Sequence, residues 1–169
     1  NRYGLTKLLG ESLVEYEVEY SGLKAVTLRP FMMYDEDEDF GDHRSAMIRF
    51  AWRLARGEPI EVHENSARGW IHSSDAVRAI ELTTGLDDYT VINIGHPDIR
   101  PMAEIAEGIR SRLNADPALV TVRPLPPQMT GVKRPNLERM HNLLNFKAEI
   151  DIDEGLDRVC HEVKRRLAL

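Results

Sequence analysis

Residues 3–11 read YGLTKLLGE and set a tyrosine one helical turn ahead of a lysine. Positions i and i+4 share a helix face, so Tyr3 and Lys7 can point into one site. A phenol titrates at about 10 and is a poor base at neutral pH, but an adjacent ammonium favours the phenolate that proton transfer requires. The spacing alone decides nothing, because Tyr20 and Lys24 repeat it across Ser21-Gly22, where a helix would stop. The rest of the chain has to say whether Tyr3 and Lys7 are a chemical pair or two surface residues.

The 169 residues fit one domain with a real core. A hydrophobic share of 42% and a charged share of 30% read as soluble and globular. The net charge of −6, with no basic stripe, argues against a nucleic-acid partner. No apolar run has the length of a membrane span, and no signal peptide is visible. The single cysteine, Cys160, excludes an internal disulfide and fits a reducing, cytoplasmic setting. It falls in the apolar stripe of a predicted helix, which reads as a buried structural thiol.

Outward from the first helix, the pattern is mixed α/β. Residues 3–20 read as a helix with Leu5, Leu8, Leu9, Leu13 and Tyr16 crowding one side. A β-like run follows over 25–28 and closes at Arg29-Pro30. An acidic loop, DEDED (35–39), leads to a helix over about 44–56. Short strands are expected over 60–63, 69–72, 90–94 and 120–122. Ser73-Ser74-Asp75 reads as a helix N-cap ahead of Val77 and Ile80, and Pro101 stands at the first turn of another helix. That helix carries Met102, Ile105, Ala106, Ile109 and Leu113 at helical spacing. A Pro-rich loop spans 124–135. The final helix, from about Asp153, carries Leu156, Val159, Cys160, Val163 and Leu167, with Lys164, Arg165 and Arg166 at its dipole-favoured end. Trp52 and Trp70 read as core or interface residues, His72 as structural, and Asn93 as a partner for local backbone.

No two of the 11 glycines lie within three residues of each other. The glycine-rich turn that lets a pyrophosphate approach a helix start is therefore missing. The six histidines show no i, i+4 pairing, so no metal site is expected.

Four segments, YGLTKLLGE (3–11), VTLRPFMMY (26–34), ARGWIHSSDAVRAI (67–80) and VINIG (91–95), stand in an order and at separations that resemble the extended short-chain dehydrogenase/reductases. These form the NAD-dependent epimerase/dehydratase family, most of which act on nucleotide sugars. VKRPNLERMHNLLNFKAEIDIDEGLDRV (132–159) is similar to that family's ending, an arginine followed by a short helix, a turn and a last amphipathic helix. The resemblance covers the C-terminal half of the family. It implies an α/β chain made of the end of the Rossmann domain (1–30, catalytic helix and strand) and a small mixed substrate-binding lobe (31–169, with segments returning to the sheet). It further implies a fragment whose glycine-rich N-terminal half lies elsewhere, in the same gene or a separate chain.

By the same resemblance, Tyr3 is the catalytic acid/base, and Lys7 assists it and meets the nicotinamide ribose. Pro30 lies where backbone approaches the nicotinamide carboxamide. Arg68 and Arg134 are expected to grip a nucleotide diphosphate, a task suited to a rigid fork of donors. The intact protein would use NAD or NADP and take a nucleotide-sugar-like substrate, while this chain alone would bind neither cofactor and be inactive. Homo-oligomers are expected. Where relatives read RPFN-x-YGP, this chain has Met32 for the asparagine and Asp35-Glu36 for Gly-Pro, and its acids would repel a diphosphate unless they turn outward or meet cations. The alternative reading is a non-catalytic binding or assembly module derived from the same fold.

Overall fold

In the computed structural model, which describes residues 2–41 and 43–169, the apolar residues divide between two cores. The element order is α1 (Arg2–Ser21), β1 (Thr27–Pro30), β2 (Met33–Tyr34), α2 (Ala46–Ala55), β3 (Ile60–His63), β4 (Ala67–Gly69), β5 (Ile71–His72) and α3 (Ser73–Leu82). It continues with β6 (Val91–Ile94), β7 (Ile99–Pro101), α4 (Met102–Leu113), β8 (Val120–Arg123), β9 (Val132–Lys133), α5 (Glu138–Leu144) and α6 (Ile152–Leu167). β1 pairs with β6, β2 with β5 and β3 with β8, all parallel, while β4 lies between antiparallel β7 and parallel β9. The chain is α/β, as its sequence indicates.

The first core joins α2, α4 and α6 over β3. Met47, Ile48, Leu54, Ile105, Ile109 and Val159 are its centre, and Cys160 is buried there as a free thiol. The helical spacings read from the sequence thus become one packed seam. The second core sets Ile92 and Ile94 of β6, with Ile71, against Ala76, Met140 and Leu144. Both cores draw on segments well beyond residue 30.

Local chemistry corrects several expectations. The strand expected over 69–72 is broken at Trp70: β4 and β5 belong to different sheets, and Trp70 enters the first core while Ile71 enters the second. Gly69 permits this crossing, since a Cβ there would lie 2.5 Å from the His96 carbonyl oxygen. The cap of α3 is His72, whose Nδ1 accepts from the Ser74 N–H at 3.2 Å. Asp75 is instead fully buried and accepts the N–H groups of Glu149 and Ile150 at 3.0 and 2.9 Å. The Pro-rich loop contains β9, and Pro101 closes β7 as well as capping α4.

α1 is unlike the other α-helices. It has no buried residue, and Leu5, Leu8, Leu9 and Leu13 are 54–62% exposed. Its clearest tie to the rest of the chain is the ion pair between Glu11 and Arg29 of β1. Among the described residues no helix is long and apolar enough to cross a membrane.

Candidate functional site

Tyr3 and Lys7 emerge from one side of α1, with the Lys7 ammonium 5.4 Å from the centre of the Tyr3 ring. Tyr3 is 72% exposed. Helix geometry puts them together, as the i, i+4 spacing requires. Thr6 caps its own turn by donating to the Tyr3 carbonyl at 2.8 Å.

Pro30 ends β1 opposite Ile94, at the C-terminal ends of two parallel strands. This is the end at which open α/β sheets receive ligands. Gly95 follows Ile94 and allows three segments to converge: a Cβ there would lie 3.1 Å from Pro135 and 3.3 Å from Phe31. The Arg134-Pro135 turn is thereby held beside the end of β1. Asn93 donates to the Asn136 carbonyl at 2.9 Å, the local role read for it from the sequence.

Arg68 is buried in β4, with Lys133 of β9 as its strand partner. Sheet pairing therefore brings Arg68 close to Lys133 and Arg134, and Arg134 is exposed. The Arg68 guanidinium donates to the carbonyls of Ala67 (2.8 Å), Thr130 (2.9 Å) and Gly131. Burial lowers its pKa. Its fork thus fixes the loop that carries Lys133 and Arg134, and it also lines a cavity of about 250 Å³ with Met32, His63, Ser66, Met129 and Lys133. Met32 adopts φ 41°, a left-handed conformation that asparagine accepts far more readily than methionine. The backbone shape expected of an asparagine is kept here by a side chain that packs against the first core.

The acidic loop meets cations, and they are the chain's own. Arg166 of α6 donates to the Glu38 and Glu36 carbonyls and to Asp37, and Arg44 pairs with Asp39. His72 is half of a relay that the sequence did not reveal. Its Nδ1 receives Ser74 N–H, so Nε2 carries the proton and donates to Glu36 at 2.6 Å; Ser73 donates to Asp35. Asp35, Glu36 and His72 bring three potential metal-ligand atoms within 4.8 Å. Metal binding through Nε2 would need the proton moved to Nδ1, against the Ser74 N–H. The group is built as a hydrogen-bonded chain. Its signal in the sequence was residue type alone, since partners 36 positions apart leave no spacing rule to read.

The model of the NAD dependent epimerase/dehydratase family matches residues 1–95. An uncharacterized protein of Methanocaldococcus jannaschii is 30% identical over 164 residues, which cover 94% of this chain and 48% of that protein. UDP-glucuronic acid decarboxylase 5 of Arabidopsis thaliana is 24% identical over 169 residues, 99% of this chain and 49% of its own length. The structure of UDP-glucose 4-epimerase with UDP-glucose from Thermotoga maritima superimposes with a TM-score of 0.87 at 21% identity, covering 98% of this chain and 54% of that one. The chain thus spans about half the length of the curated relatives it matches.

Proposed function

The chain belongs to the NAD dependent epimerase/dehydratase family, and from that premise we propose that it supplies the catalytic helix and substrate-binding lobe of an NAD(P)-dependent oxidoreductase acting on a nucleotide sugar. The observation that carries this reading is the Tyr3–Lys7 pair, side by side and open to solvent on α1. Tyr3 exchanges a proton with a substrate hydroxyl. Lys7, with no hydrogen bond or ion pair to the described residues, keeps donors for a cofactor ribose. A bound nicotinamide would supply the hydride acceptor or donor. Lys133 and Arg134 present cations to the substrate diphosphate, on a loop that Arg68 holds in place.

The chain's residues fit the nicotinamide end of such a cofactor and not its pyrophosphate, for which no paired glycines exist. Two features support a docking place for a nucleotide-binding half. Among the described residues β1 pairs on one edge only, and a free strand edge is a template for another strand. The leucines of α1 lie uncovered beside it. In this reading the complementary half adds strands along β1 and covers one side of α1, while a second copy of the protein covers the other. Without that half, the chain binds neither NAD nor NADP usefully and does not turn over. The same reading includes a cytoplasmic setting, which the lone buried thiol of Cys160 supports.

Calorimetry of this chain against NAD and NADP, and steady-state kinetics of the full gene product, test the proposal. Tyr3→Phe in the full product should lower kcat by roughly 10²–10⁴-fold and leave the cofactor Kd unchanged. Near-normal kcat would remove Tyr3 from the chemistry. Micromolar cofactor binding by the chain alone would refute the need for a complementary half.

A further inference from the structure

The sulfur atoms of this chain differ sharply in exposure. Met47 and Met140 are fully buried, Met102 and Cys160 nearly so, and Met32 packs against the first core. Met129 is 44% exposed and Met33 39%, so an oxidant arriving from solvent meets these two thioethers first. Their surroundings are opposite in kind. Met33 lines a cavity with Asp35, Asp37 and Glu38, a wall of acceptors. Met129 lines the Arg68 cavity, together with Lys133.

In the Arg68 cavity the donors outnumber their acceptors. A guanidinium offers five N–H donors. Arg68 spends three, on the carbonyls of Ala67, Thr130 and Gly131, and among the described residues it meets no carboxylate. Two donors remain. The Lys133 ammonium makes no hydrogen bond or ion pair with the described residues. Thr130, whose carbonyl Arg68 holds at 2.9 Å, directly follows Met129, so the thioether is rooted one residue from that contact. In a space of about 250 Å³ the side chains of Met129, Arg68 and Lys133 share one small volume. A thioether sulfur is a weak acceptor and leaves the donors unused, whereas oxidation makes the same side chain polar.

We propose that Met129 is a reversible oxidation site that closes the Arg68 cavity: a peroxide converts its thioether to the sulfoxide, whose oxygen then accepts from Arg68 and Lys133. The S–O bond forms as the peroxide O–O bond breaks. Sulfur is oxidised by two electrons, and the leaving hydroxide takes the proton of the transferred oxygen and departs as water. Methionine sulfoxide reductases reverse the step. Oxidised Met129 occupies the donors, and part of the room, that a phosphate would use. The loss of ligand rests on the function proposed for this cavity; the oxidation and its new hydrogen bonds rest on exposure and donor count alone. Met33, facing acids, gains no such partner and serves as the internal control.

The chain treated with hydrogen peroxide is compared with the untreated chain by peptide mass spectrometry, by NMR of the Arg68 guanidinium N–H groups, and by calorimetry with inorganic pyrophosphate. Met129 and Met33 should each gain one oxygen before the other methionines do. The Arg68 resonances should move and exchange more slowly with solvent. Pyrophosphate binding should weaken about tenfold, the scale of one hydrogen bond to a charged group, and a methionine sulfoxide reductase should restore it. Met129→Leu, at an exposed position that leaves the fold intact, should abolish the resonance shift and the loss of affinity, while Met33→Leu preserves both. A Met129 that stays reduced while Met33 is oxidised, unmoved Arg68 resonances, or an equal loss of affinity in peroxide-treated Met129→Leu would overturn the proposal. If the untreated chain does not bind pyrophosphate, the diphosphate reading of the cavity falls, and the Arg68 resonances alone decide the role of Met129.

Discussion

Tyr34 and Gly155 offer a quantitative check on how the first core closes. Tyr34 is 2% exposed, and its hydroxyl has no partner. Burial, with the nearby Glu36 charge, raises its pKa, so the group stays a neutral phenol. It faces α6, where a Cβ added at Gly155 would lie 1.8 Å from Oη, 2.6 Å from Cζ and 2.8 Å from Cε2. A buried hydroxyl without a partner costs about 1–3 kcal/mol, so Tyr34→Phe should stabilise the fold by about 1 kcal/mol after lost packing. Gly155→Ala should gain about 1 kcal/mol of helix propensity and lose more to overpacking, which typically costs about 1–3 kcal/mol and occasionally more. Because Phe keeps the clashing Cζ, Tyr34→Phe should rescue Gly155→Ala only in part. Thermal melts followed by circular dichroism resolve this, since about 1 kcal/mol moves Tm by roughly 2–4 °C at this size. A lower Tm for Tyr34→Phe, or a higher one for Gly155→Ala, would refute the packing described.

Three further outcomes are expected. Hydrogen bonds from Arg165 and then Arg166 hold the Glu162 carboxyl down to about 2. A folded value below the unfolded 4.5 gives stability that is complete above about pH 4.5 and lost as pH falls toward 2. Glu162→Gln should flatten the stability curve across that window, and an unchanged curve would show the pairing to be idle. Burial pushes the Cys160 thiol up to about 12, so a thiol reagent should label it only as the chain unfolds, and rapid native labelling would contradict the core. The uncovered leucines of α1 should drive self-association. Light scattering at micromolar concentration should give a mass above one 19.3 kDa chain that Leu9→Glu with Leu13→Glu returns to the monomer value; a monomeric parent would sink the idea.

The parts of the fold legible in the sequence are those fixed by near neighbours. The stripes of α4 and α6 follow from apolar spacing and become one seam. The i, i+4 relation of Tyr3 and Lys7 survives intact. What stayed hidden depends on distant partners. Ser73-Ser74-Asp75 reads as a cap, but Asp75 is drawn off by two N–H groups 74 and 75 residues away, and His72 takes its place. Consecutive residues Trp70 and Ile71 enter different cores, which no periodicity encodes. Arg68 was visible as an arginine, but its carbonyl partners on a loop 62 and 63 residues later were not.

The same contrast bears on how chemistry and assembly are joined. Tyr3 and Lys7 stand on the only α-helix among the described residues that buries nothing, while the lobe beyond it is closed by a core of large apolar side chains. A helix in water takes most of its stability from tertiary packing, and each leucine brought out of water adds roughly 1.5–3 kcal/mol. Regions with few buried contacts open at low free energy. Under the proposed function, whatever covers α1 orders the Tyr3–Lys7 pair as it docks, and whatever completes β1 sets that pair against the strand ends where Pro30, Gly95 and Pro135 meet. The lobe needs no such help to hold the Arg68 cavity. Under that proposal, ligand binding beside Arg68 should persist in the isolated chain, and proton transfer at Tyr3 should await the partner.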